Sequence, residues 1–242
     1  ALSQINSNLV QIAKVIEHKF PTSTVAMRKN EQIGSILKLV ITISDATVKI
    51  EVNPVLRGSV YESEIHRTSP MVEEQFGFAE VSMLSFDDLY AGKMCAALDR
   101  QHPRDLFDIK FLLDNEGISR SLLRAFLVYL ISHNRPIAEL LNPRIKSIQA
   151  SFDAEFKGMT FVDIDVETLE QVLPKLVNEI SKKLTNEDKE FLLNFKAGKP
   201  NWSYFNMPHI AELPAVRWKL KNLANMEDKK REKAIAALKS VF

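Results

Sequence analysis

Apolar residues fall at two different spacings along this chain, and the change between them divides it. Ile5, Leu9, Ile12, Ala13 and Ile16 recur every three or four positions. That period predicts an amphipathic helix over residues 3–19, closed by Pro21. Residues 35–44 (SILKLVITIS) are instead rich in β-branched side chains. Val48, Ile50 and Val52 then alternate with Lys49, Glu51 and Asn53. A strand pair is expected there, turning at Asp45-Ala46, with Val48, Ile50 and Val52 towards the core. A weaker extended stretch is expected over 60–67 and a short strand over 80–83.

After Ser85 the pattern is helical to the end. Ser85-Phe-Asp-Asp88 resembles a capping box, in which the serine oxygen accepts from a first-turn N–H. One helix is expected from Phe86 to about Arg100. A second opens near Pro103, a favoured first-turn residue, and stops before Gly117. Further helices are expected over 119–132, 143–156, 166–183, 186–195, 214–225 and 227–242. No repeat or low-complexity linker interrupts the chain. The organisation is a small β-containing front, 1–85, and a large helical back, 86–242, an α+β chain with a small mixed sheet.

Composition narrows the class without choosing a function. The 242 residues are 45% hydrophobic and 26% charged, with a net charge of +1. Such a chain buries a core, and its overall field does not mark it as a nucleic-acid binder. Cys95 is the single cysteine, so no internal disulfide forms. It sits between Met94 and Ala96 and reads as a packed thiol. No run approaches the ~20 apolar residues of a membrane span. The opening residues lack the basic start and apolar run of a signal peptide. A cytoplasmic protein is expected. Histidines 18, 66, 102, 133 and 209 show no metal-ligand spacing.

The densest polar pattern on an apolar background is LYAGKMCAALDRQHPRDLFDIKFLL, residues 89–113. Lys93 and Arg100 lie seven apart, so they share a helix face. Arg104, Asp105 and Asp108 open the next helix, where carboxylates sit well against the helix dipole, and Arg104 and Asp108 are spaced to pair. Two readings stand on spacing alone. In one, Lys93 and Arg100 meet phosphate oxygens while Asp105 and Asp108 orient those cations or a reacting group. In the other, the five residues form a solvated face of ion pairs worth ~0.3–0.5 kcal/mol each. Asp163 and Asp165 form an Asp-x-Asp that leads into a helix, and Asp165 reads as its N-cap. From Arg217 to Lys239 eight basic residues face three acidic ones after Trp202, Tyr204 and Phe205. That stretch reads as a phosphate-tracking surface or as a solvated helix face.

The segment LSFDDLYAGKMCAALDRQHPRDLFDIKFLL resembles the second and third motifs of AbiEii-type nucleotidyltransferases, the toxins of type IV toxin–antitoxin systems. It sets Lys93 in Leu-x-Ala-Gly-Lys, then Arg100, then the Arg-Asp-x-x-Asp step of Arg104, Asp105 and Asp108. The segment 184–223 is similar to that family's C-terminal region. The resemblance implies a partial polymerase-β-like nucleotidyltransferase core followed by a helical domain. It implies transfer of a nucleoside monophosphate from a nucleoside triphosphate to RNA, a tRNA end being the expected acceptor. It also implies a growth-arrest or phage-defence (abortive infection) role, with an antitoxin encoded nearby and no stable complex.

By the same resemblance Lys93, Asp105 and Glu51 are catalytic, and Arg100, Arg104 and Asp108 bind substrate. KIEVN, residues 49–53, matches where the family carries a strand carboxylate for its divalent ion, usually Mg²⁺. That makes Glu51 the metal-ligand candidate; an exposed strand glutamate is the other reading. The family's Gly-Gly/Ser turn and Asp-x-Asp strand are not found before Glu51, and their place in the family order falls just before Ala1. Residues 1–242 are therefore expected to bind without turnover. The rival expectations are a non-catalytic nucleotide- or RNA-binding module and a plain helical interaction protein.

Overall fold

A computed structural model describes residues 2–31, 34–52 and 57–242. The chain forms two compact units, Ala1–Leu56 and Arg57–Phe242. The sequence pattern changes later, at 85/86, where the continuous helical run begins.

In the first unit, α1 (Leu2–Lys19) packs on two strands of a three-stranded antiparallel sheet. The strands are β1 (Thr24–Lys29), β2 (Ile36–Ile43) and β3 (Ala46–Glu51), in that order across the sheet. Leu9 and Ala13 of the helix meet Ile36, Leu39 and Ile41 of β2 in a small buried core. Ile5 and Ile16 pack at its margin, whereas Ile12 of the expected stripe is exposed. Asn6 ties the two layers, its Oδ1 accepting from the Ile36 backbone N–H at 3.1 Å.

The hairpin turns at Ser44-Asp45, one residue earlier than expected, with Ser44 in the left-handed region (φ 52°). Leu39 faces Ile50 and Ile41 faces Val48 across the ladder. Ile50 and Val52 reach the core as expected, but Val48 is 58% exposed. Alternation chose the right face for Val48; the helix above that face packs on β1 and β2 and leaves the far end of β3 uncovered. Strand β1 was missed because its alternating residues, Val25 and Met27, are too weak a signal, and Met27 is itself exposed.

The second unit opens with a two-stranded antiparallel ladder, β4 (Glu64–Arg67) against β5 (Glu80–Met83). Between them lies α2 (Pro70–Phe76), which the sequence reading did not anticipate. The extended stretch expected over 60–67 forms a ladder only from residue 64. All described strand pairs are antiparallel, so the α+β class holds while the mixed pairing expected of the sheet does not occur.

The helical body follows. Helices α3 (Phe86–Arg100) and α4 (Pro103–Asn115) form a hairpin, and α5 (Arg120–Ile131) packs against α3. Met94, Leu98, Leu106, Ile109, Leu122 and Phe126 are at most 1% exposed and centre the core. Next come α6 (Ile137–Leu141) and α7 (Gln149–Glu155). The helix expected over 143–156 thus forms only in its second half. The one expected over 166–183 is divided at Gln171 into α8 (Val166–Glu170) and α9 (Val172–Lys183). Pro174 accounts for the break: it has no N–H, and its ring opposes the carbonyl four residues back, at Glu170. Helices α10 (Asn186–Lys196), α11 (Pro214–Ala224) and α12 (Asp228–Lys239) complete the unit. Asp165 caps α8 as expected, accepting from the Thr168 N–H at 2.7 Å.

Candidate functional site

The α3–α4 hairpin gathers five of the six candidate residues. Ser85 caps α3 by accepting from the Asp88 N–H at 3.1 Å, and its hydroxyl donates to the Asp88 carboxylate at 3.0 Å. That carboxylate is fully buried and also accepts the Val60 and Tyr61 backbone N–H groups, each at 2.8 Å. Asp88 therefore pins the chain ahead of the helix and fixes where α3 begins. The far end of α3 is set by Gln101, buried in the left-handed region (φ 56°). Its amide donates to the Arg144 carbonyl and its side-chain oxygen accepts from the Lys146 N–H, both at 2.9 Å. His102 then caps α4, with Nδ1 accepting from the Arg104 N–H at 3.2 Å.

Between these fixed ends the seven-residue spacing acts as read: Lys93 and Arg100 both turn towards α4. Lys93 Nζ donates to Asp108 Oδ2 at 2.5 Å. Arg100 forms a fork on Asp105, Nε to Oδ2 at 3.0 Å and Nη2 to Oδ1 at 2.7 Å. Two ion pairs thus join the helices, with the apolar core beneath them. The pair expected within α4, Arg104 with Asp108, does not form. Lys93 takes the carboxylate across the hairpin, and Arg104 approaches Glu155 of α7 at 3.9 Å. His102 Nε2 meets the same Glu155 at 3.1 Å. Asp105 is nearly buried, while the side chains of Arg100 and Arg104 are 63% and 59% exposed. The Lys93 ammonium also lies 5.7 Å from the centre of the Tyr90 ring.

The hairpin accordingly presents two guanidinium groups to solvent, with a partly open ammonium held by a carboxylate. Its carboxylates orient those cations. The exposed cations are charge-assisted donors held in place by their carboxylate partners.

Glu51 stands on β3 of the first unit. It lies opposite Lys38 in the ladder and is ion-paired with it. The Lys38 hydrogen bond and charge, with a smaller contribution from Lys49, lower its pKa. Among the described residues no group of three or more Asp, Glu, His or Cys side chains could hold a metal ion. One carboxylate already engaged by an ammonium does not make a divalent site, since Mg²⁺ keeps its waters unless several oxygens replace them. The described donors do not fit that ion by themselves. Cys95 is buried and burial pushes its thiol pKa up, so it is a core residue as expected.

Sequence reasoning placed Asp88 in a capping motif but not as the anchor of Val60 and Tyr61, and it missed Gln101 and Glu155, whose partners lie far along the chain. It also missed a knot in the family-like C-terminal segment. The fully buried Asp188 carboxylate accepts two bonds from Arg120, at 2.6 and 2.8 Å, and one from Tyr204. It further accepts the Thr185 N–H and hydroxyl at 2.8 and 3.0 Å. Burial alone raises its pKa, but these donors outweigh burial and lower it. The Thr185-x-x-Asp188 capping box was the available signal.

The fold and the hairpin define a class, an α+β protein whose helical hairpin is joined by two ion pairs. The model of one family, described as "Nucleotidyl transferase AbiEii toxin, Type IV TA system", matches residues 1–222, and the chain belongs to that family. No significant match was found among curated proteins or solved structures.

Proposed function

We propose that this protein transfers a nucleoside monophosphate from a nucleoside triphosphate to RNA, with a tRNA end as acceptor. The result is growth arrest or defence against phage, from the cytoplasm. Family membership makes it a nucleotidyl transferase toxin with a nucleotide substrate and an antitoxin partner. That the antitoxin forms no stable complex is part of the proposal. No helix among the described residues is long and apolar enough to cross a membrane.

The observation that carries the reading is the pair of ion pairs across the hairpin. Lys93 exchanges Asp108 for a phosphate oxygen, acting as a point charge, while Asp108 keeps it in place between turnovers. Arg100, forked on Asp105, presents a guanidinium of fixed orientation to a second phosphate, and exposed Arg104 reaches a third. Asp105 serves the reaction as a positioning residue, through its hold on Arg100. Glu51 is the strand carboxylate that the family pattern assigns to the metal.

The test is a titration of nucleoside triphosphate into the wild-type chain and Lys93→Met by calorimetry. Loss of the ammonium is expected to weaken binding about tenfold or more, roughly 1.4 kcal/mol. Equal affinities would remove Lys93 from the phosphate site. A second reading, nucleotide or RNA binding without transfer, is favoured by the engagement of Glu51 with Lys38. Labelled nucleotide offered with Mg²⁺ and bulk tRNA separates the two: incorporation supports transfer, and binding without incorporation supports the second.

A further inference from the structure

A cavity of about 350 Å³ opens where the chain leaves α7, and the hairpin chemistry makes no use of it. That volume lies within the range of small-molecule sites. Phe152 and Phe156, four positions apart, form its apolar wall, with ring centres 5.5 Å from each other. Gly158 (φ 81°) lets the chain turn sharply after the helix. The loop then brings Phe161 to the cavity with its side chain fully exposed. A phenyl ring left in water adds nothing to the core of this unit, and its faces are open to a flat partner. Three polar side chains share the lining: Lys157, Thr160 and Asp163. Among the described residues the Lys157 ammonium and the Asp163 carboxylate have no hydrogen-bond or ion-pair partner. Thr160 Oγ1 accepts from the Val162 N–H at 3.0 Å, which leaves its own proton to donate. Asp163 is the half of the Asp-x-Asp that helix capping does not use, because Asp165 alone caps α8.

The cavity adjoins the candidate site. Glu155 lies on α7 between the two wall phenylalanines, and it meets His102 at 3.1 Å and Arg104 at 3.9 Å. Phe156 packs on Phe107 of α4, with ring centres 5.4 Å apart. The lining selects the group that fits. An aliphatic group would cover Lys157 and Asp163 and offer them no partner, which costs free energy. A nucleobase offers a flat face to the phenyl rings, and an edge whose donors and acceptors meet the carboxylate and the ammonium. In a duplex those faces and that edge are already occupied, so the base has to be unpaired.

We propose that this cavity binds an unpaired base of single-stranded RNA, with Phe161 as the stacking ring and Asp163 and Lys157 on the base edge. The choice of RNA rests on the acceptor proposed above. The site depends neither on transfer nor on the role assigned to Lys93.

The test follows a labelled single-stranded oligoribonucleotide binding to the full chain by fluorescence anisotropy, beside a strand of the same length made of abasic residues. Wild type is expected to bind the base-bearing strand about tenfold more tightly or better, since stacking is what the bases add. Phe161→Ala is expected to lose about tenfold on the base-bearing strand and nothing on the abasic one, whereas Phe161→Trp keeps binding. Because Phe161 is fully exposed, Phe161→Ala should melt with wild type, so a loss of binding is not a loss of fold. No binding of the base-bearing strand by wild type, or equal binding of it by wild type and Phe161→Ala, would overturn the site. Equal binding of the two strands by wild type would do the same. A Phe161→Ala variant that loses affinity for nucleoside triphosphate and keeps it for RNA would overturn the assignment to RNA, because the base would then belong to the triphosphate. Failure of the phosphate reading of the hairpin shows elsewhere, as equal triphosphate affinities for wild type and Lys93→Met.

Discussion

The six candidate side chains show what one residue can and cannot reveal of its role. Lys93 and Arg100 had to share a face once α3 existed, because 3.6 residues per turn leaves little choice. Their partners were another matter. Asp108 could have bonded Arg104 within its own helix, yet it bonds Lys93 across the hairpin. Lys219 supplies a prediction at this scale. Its folded pKa of about 8 lies below the ordinary 10.5. Below pH 8 the lysine is protonated in both states, and the folded protein bears the full cost of holding that charge in place. Between about pH 8 and 10.5 the unfolded chain keeps a proton that the folded one has released, so this group makes stability rise with pH. Urea unfolding across that window should show a steeper rise for wild type than for Lys219→Met. Parallel profiles would mean that Lys219 is not perturbed.

At the scale of elements, capping chemistry was the most legible signal. Ser85, Ser119 and Asp165 each accept a first-turn N–H where the sequence begins a helix. Ser119→Ala should cost about 1 kcal/mol, because the Leu122 N–H at 3.0 Å then loses its acceptor. Chemical denaturation measures it, and nucleotide affinity should not change. Breaks inside helical patterns were less legible. The split at Gln171 was available from Pro174. The non-helical stretch before α7 was not, because Ile148 is buried by tertiary packing and not by helical phase. Strand β1 was hidden for a related reason. It is held by its ladder with β2, and a hydrogen-bonded neighbour is not written in the strand's own residues.

For the whole molecule, two cores of unequal size decide behaviour. The first unit buries Leu9, Ala13, Ile36, Leu39 and Ile41, whereas the second has a continuous helical core. Small cores leave little stability once chain entropy is counted. Residues 57–242 expressed alone should keep a cooperative helical thermal transition by circular dichroism. Residues 1–56 alone should show none. A non-cooperative melt of 57–242 would show that its core is not self-sufficient. The sequence by itself determined the helical back, the β-containing front, the family and the five hairpin residues. Each of these follows from local period, capping or contiguous motif. Only the tertiary structure decided that Asp88 anchors α3, that Asp188 ties Arg120 to Tyr204 and that Lys38 takes up Glu51. Those facts depend on which distant groups meet, and on how much water is left between them, and no local spacing encodes either.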